Sequence, residues 1–133
     1  MGTSITLTSG AVATLLGEAA AAAPREACGL LLGTGSHVSH ALPAANVAPD
    51  PNCHFEIDPA ALIAAHKAAR AGGAEVLGYW HSHPNGRSGP SATDRAGANG
   101  DGRVWVIVAN GAITCWRDGA AGFEPLSSVI DDG

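Results

Sequence analysis

The sequence is poor in charge: 14% of its 133 residues are Asp, Glu, Lys or Arg, and Lys67 is the single lysine. Acids outnumber Lys plus Arg by 12 to 7, so there is no basic stripe to hold a phosphate backbone, and no nucleic-acid partner is expected. Cysteine is scarce too. Cys28, Cys53 and Cys115 form no CxxC pair, which excludes a disulfide framework and a thiolate zinc knuckle and makes a reducing cytoplasm the expected compartment. Cys28 and Cys115 lie in apolar runs and read as small core residues. No stretch approaches the roughly 18 uncharged apolar residues of a membrane span, so no membrane is expected. The alanine-rich segment Ala11 to Ala23 contains Glu18 and follows no Lys or Arg, so it reads as a helix and not as a signal peptide. Met1-Gly2 with Thr6 fits an N-myristoylation pattern, a match that so permissive a pattern produces by coincidence. A chain of 133 residues is expected to form one domain over 1–133 with a core of its own.

What is present is a regular succession of elements. Ser4 to Leu7 alternates as a short strand, Thr8-Ser9 offers a cap for the alanine-rich helix, and Pro24 ends it. Glu26 to Leu32 is expected as a strand covered on both faces, with His37 to Leu42 returning as its hairpin partner. His37, His40 and His66 read as surface or structural histidines. Ala44 to Asp58 is irregular, a binding loop whose end, His54 to Ile57, has strand character. Asp58-Pro59 caps a helix to Ala71, and Gly72-Gly73 stops it. Val76 to Trp80 is the next strand. Arg103 to Ala109 is a buried strand, Asn110-Gly111 a turn, Ala112 to Arg117 its partner, and Phe123 to Ile130 a last edge strand.

The densest chemistry lies in Gly78 to Asp94, GYWHSHPNGRSGPSATD. Residues two apart on a strand share a face, so His81 and His83 can reach one ion while Ser82 points away. Pro84 ends the strand, and the loop Asn85 to Pro90 leads to Ser91, where a short helix can begin and its first turn can present Asp94 to the same point. Two nitrogens and one oxygen suit catalytic zinc, which keeps a fourth position for water. Each fragment has a blander reading: HxH as two core or partly exposed histidines, Ser91-x-x-Asp94 as a capping box. Glu26 on its own is solvated at a strand start, paired with Arg25, or held near the metal.

Taken together, the residues resemble the JAMM (MPN-plus) metallopeptidases. That family's signature is an upstream glutamate, then HSHP, seven residues counted from that proline, Ser, two residues and Asp. Here Glu26 precedes CGLLLG, and His81-Ser82-His83-Pro84 leads through Pro90 to Ser91 and Asp94. The resemblance implies that His81, His83 and Asp94 bind one zinc ion, that Glu26 is the general base, and that Ser91 donates a hydrogen bond to the oxyanion. It also implies an α/β (α+β) fold of cytidine-deaminase-like architecture: a mixed β-sheet flanked by helices, with zinc at the sheet's edge. The family hydrolyses amide bonds, often just after a Gly-Gly tail. Compact bacterial-type members imply a ubiquitin-like or sulfur-carrier protein tail as substrate, and a monomer or homodimer as the working form. The alternatives are an isopeptidase that removes ubiquitin-like modifiers from proteins and a zinc-free MPN scaffold, which would lack part of the ligand set. A zinc nucleoside deaminase would need HxE and PCxxC, which are absent.

Overall fold

The computed structural model describes residues 4–132, so the Met1-Gly2 pattern lies outside the described residues. The chain runs β1 (Ser4–Thr8), α1 (Ser9–Ala22), β2 (Cys28–Thr34), β3 (His37–Ala44), α2 (Pro59–Arg70), β4 (Glu75–Ser82), α3 (Ala92–Gly97), β5 (Val104–Ala109), β6 (Ala112–Gly119) and β7 (Gly122–Asp131). Local chemistry sets most boundaries. Thr8 Oγ1 accepts from the Ala11 amide to cap α1, and Asp58 Oδ1 accepts from the Ala60 amide to cap α2, where Pro59 fills a position that needs no donor. Asn110 and Gly111 both take positive φ, 53° and 72°, the geometry of a two-residue hairpin turn between β5 and β6.

The strands pair in the order β1-β3-β2-β4-β5-β6-β7, with parallel and antiparallel neighbours mixed, and the sheet closes on itself. This corrects the expected edge strand. β7 pairs with β6 and also, in parallel, with β1 from Ser4↔Ser127 to Thr8↔Asp131. Alternation along Phe123 to Ile130 reveals a strand, but its second partner is about 120 residues away in sequence and leaves no local signal. β4 is interior, as the apolar run Val76 to Trp80 implies, with β2 on one side and β5 on the other, and the site lies where this strand ends. At Gly78 a side chain would collide with the Val104 backbone, so glycine lets β4 and β5 approach.

The sheet separates two apolar clusters. On one face α1 packs across β1, β3, β4, β5 and β7, burying Leu7, Leu15, Leu31, Trp80 and Val106. On the other, α2 and the 45–58 loop cover Cys28, Leu30, Ile57 and Ala65, with Tyr79 against them. Because side chains alternate, Trp80 and Ser82 belong to the α1 face while Tyr79 and His81 belong to the α2 face. That alternation decides where the chemistry sits.

Candidate active site

His81 ends the apolar run of β4 fully buried, stacked on Phe55 at 4.2 Å between ring centroids, with Trp105 edge-on at 5.8 Å. Just past the end of β4, His83 stays buried, its amide donating to the Val108 carbonyl. Asp94 arrives from the opposite side in the first turn of α3. There Ser91 Oγ accepts from the Asp94 amide at 3.0 Å and Asp94 Oδ2 accepts from the Ser91 amide at 2.9 Å, a full capping box. The capping reading of Ser91 is realised, and the same box aims the Asp94 carboxylate at the two histidines. A hydroxyl that accepts from Asp94 still has its own proton to donate.

The three side chains converge. His81 Nε2 lies 3.0 Å from His83 Nε2, and each is 3.1 Å from Asp94 Oδ2. His83 Nδ1 lies 2.7 Å from the Arg87 carbonyl and donates to it, which leaves Nε2 with a lone pair when the ring is neutral. That lone pair faces a carboxylate oxygen and the second imidazole nitrogen. Acceptors crowded this closely need a cation between them, a proton or a metal ion. Ligand atoms around tetrahedral zinc, with bonds of about 2.0–2.1 Å, sit about 3.3 Å apart, close to the spacing seen here. The residues present therefore fit a metal ion, and the carbonyl that orients His83 is the usual outer support of such a ligand.

The protonation equilibria of the metal-free site follow from the same contacts. Burial pushes the His81 imidazole toward its neutral form, outweighing Asp94. For His83 burial acts the same way, but the hydrogen bonds to Asp94 and to the Arg87 carbonyl outweigh it and raise its pKa. Burial would also raise Asp94, yet hydrogen bonds from both histidines and the Ser91 amide hold its carboxyl well below the usual carboxylate range.

Glu26 is buried, 7% exposed, two residues before β2 begins and not in the strand as expected. Its Oε1 has no hydrogen-bond partner, and no ion pair joins it to Arg25. Desolvation raises its pKa from 4.5 to about 7, with His83 lowering it and Asp94 raising it by charge. A carboxylate poised near neutrality beside the triad suits proton transfer. The cysteines do not compete, since burial pushes the Cys28 thiol up to about 12 and the Cys115 thiol to about 11.

Ser82, noted in the sequence only for pointing away, holds Glu26's neighbour from both sides. Its Oγ accepts from the Ala27 amide at 2.8 Å and its amide donates to the Ala27 carbonyl at 3.0 Å. A serine between two ligand candidates is the signal that could have revealed it. Asp118, also unnoticed, is buried in β6 and accepts from the amides of Asn99 and Gly100. It pins the segment after α3, which with Phe55, Ile57, Leu62, Tyr79 and Trp105 lines a cavity of about 480 Å³ reaching Asp94. His37, His40 and His66 lie on β3 and α2, outside the triad.

The family described as prokaryotic homologs of the JAB domain matches residues 8–119. The chain belongs to this JAB/MPN family, and it is a hydrolase of the JAMM metallopeptidase type. Among relatives, the desampylase of Haloferax volcanii is 34% identical over 111 residues, covering 81% of this chain and 80% of that protein. A probable TtuB-protein conjugate cleaving protease of Thermus thermophilus is 40% identical over 72 residues, 54% of this chain and about half, 48%, of its own length. The solution structure of a Desulfitobacterium hafniense protein, 30% identical, superposes with a TM-score of 0.85 over 97% of this chain and 94% of that one.

Proposed function

We propose that this protein is a zinc-dependent peptidase that hydrolyses the amide bond at the C-terminal Gly-Gly tail of a ubiquitin-like protein. The observation that carries the proposal is the convergence of His81 Nε2, His83 Nε2 and Asp94 Oδ2 beside a buried glutamate whose Oε1 has no partner. His81, His83 and Asp94 hold the metal. Zinc, when bound, acts as a Lewis acid and lowers the pKa of a water from about 15.7 to roughly 7. Glu26, whose buried Oε1 has no hydrogen-bond partner, accepts the proton of the attacking water and returns it to the leaving amine. The Ser91 hydroxyl donates to the oxyanion. Residues 1–133 act as one catalytic unit in the cytoplasm.

The substrate tail lies along Phe55 to Ile57. The closed sheet offers no edge beside β4, but this segment does. Its bridge between Asn46 and Ile57 uses Glu56 O and Asp58 N on one side. On the other side, the main-chain groups of Phe55 and Ile57 have no partner among the described residues. An extended tail can add there as a strand. Two glycines suit the last positions, because Phe55 and Trp105 pack against His81 of the triad and leave little room for side chains.

Two uses of this chemistry were expected from sequence: trimming or releasing what a sulfur carrier bears at its terminus, and cleaving conjugates. The name of the Thermus thermophilus relative, a conjugate-cleaving protease, favours the second. The test is metal analysis of protein purified without added zinc, paired with mass-spectrometric cleavage of a ubiquitin-like protein joined through Gly-Gly to a peptide or to a lysine side chain. About one metal per chain with chelator-sensitive cleavage supports the proposal. Glu26→Ala should keep the metal and lose turnover. Absence of metal after zinc is supplied would overturn it in favour of a scaffold.

A further inference from the structure

Glu26 stands two residues outside β2, so the sheet ladder does not hold it directly. Its main chain is held from the 45–58 loop. The Glu26 amide donates to the Pro51 carbonyl at 2.7 Å, and the Glu26 carbonyl accepts from Asn46 Nδ2 at 2.9 Å. The Asn46 side chain makes three more bonds. Nδ2 also donates to the His54 carbonyl at 3.0 Å, while Oδ1 accepts from the Ala48 amide at 3.1 Å and the Glu56 amide at 3.0 Å. Two carbonyls on one end and two amides on the other use the full capacity of a carboxamide and fix which way it points. Only asparagine among short side chains offers two donors and a shared acceptor in this arrangement.

We infer that Asn46 is a positioning residue that locks the general base and the substrate-pairing segment into one unit. Through Nδ2 it sets the height of the Glu26 main chain. Through Oδ1 it holds the Glu56 amide to the inside, which turns the free groups of Phe55 and Ile57 outward. The two walls of the reaction site therefore move together or not at all. This inference rests on the peptidase reading, because it assigns Asn46 to a base and a tail that only that reading supplies.

Two variants of the zinc-loaded protein separate the halves of the strut. Asn46→Ala removes all four bonds and should lower kcat on the order of tenfold to a hundredfold, the cost of displacing a catalytic group by about an ångström, and raise KM severalfold. Asn46→Asp keeps an acceptor for Ala48 and Glu56 but turns an oxygen toward two carbonyls. It should lose kcat like the alanine variant, keep KM near wild type, and keep the Glu56 amide protected in hydrogen exchange where Asn46→Ala exposes it. Metal content of about one per chain certifies a folded site in each. If both variants only lower the unfolding temperature and leave kcat and KM unchanged, Asn46 is structural and the inference falls. If Asn46→Asp keeps wild-type kcat, the strut to Glu26 is refuted by that variant alone. An inactive wild type instead overturns the peptidase reading, and this inference with it.

Discussion

A buried carboxylate without a partner should weaken the fold that carries it, and Glu26 allows that cost to be measured. In the metal-free protein its pKa rises from 4.5 to about 7, chiefly by desolvation, and at 7% exposure little solvent is left to screen it. The native state therefore binds the proton more tightly than the unfolded chain. The associated stability is fully present below about pH 4.5 and is lost as pH climbs through about 7, a loss of about 3 kcal/mol if the whole rise is realised. Glu26→Gln has nearly the shape of the protonated acid and cannot ionise. At pH 4 chelator-treated wild type and variant should unfold alike in denaturant. By pH 8 the variant should be more stable by about 2–3 kcal/mol, equivalent to a midpoint on the order of 10 °C higher for a domain of this size. Taking the difference between the two proteins cancels the titration of His81, His83 and Asp94 except for their charge coupling to Glu26. Loading the metal should shrink the gap, because a nearby cation favours the carboxylate. A difference that stays flat from pH 4 to pH 8 would refute the claim that Glu26 is buried without compensation.

Asp94→Ala removes both a ligand candidate and half of the capping box, so bound metal and turnover should both fall to background, read by metal analysis and peptide cleavage. Ser91→Ala should cost about 1 kcal/mol of stability through the lost cap, and a further hundredfold to a thousandfold in kcat if its proton reaches the oxyanion. A stability loss with unchanged kcat would leave Ser91 only its cap. Ser82→Ala strands the buried Ala27 amide at a cost of about 1–3 kcal/mol, and should lower kcat by displacing Glu26 while the metal stays bound. Wild-type kcat in that variant would free Glu26 from dependence on β4.

The sequence by itself determined most of the elements and singled out His81, His83 and Asp94 as ligand candidates, because the signals for both are short-range. The apolar run Val76 to Trp80 marks a strand whose side-chain alternation puts His81 and His83 on one face, and Ser91-x-x-Asp94 is a cap whose geometry needs no distant partner. The glutamate was legible by resemblance to a known pattern; nothing local separated a solvated strand start from a buried base. Only the tertiary structure settled that Glu26 is dry, since its surroundings come from His83, Asp94 and a loop some 20 residues on. The same holds for the closing of β7 onto β1 and for the parts played by Asn46, Ser82 and Asp118. Polar side chains that bond to a distant backbone leave no periodicity, because the partner is a main-chain group that every residue carries.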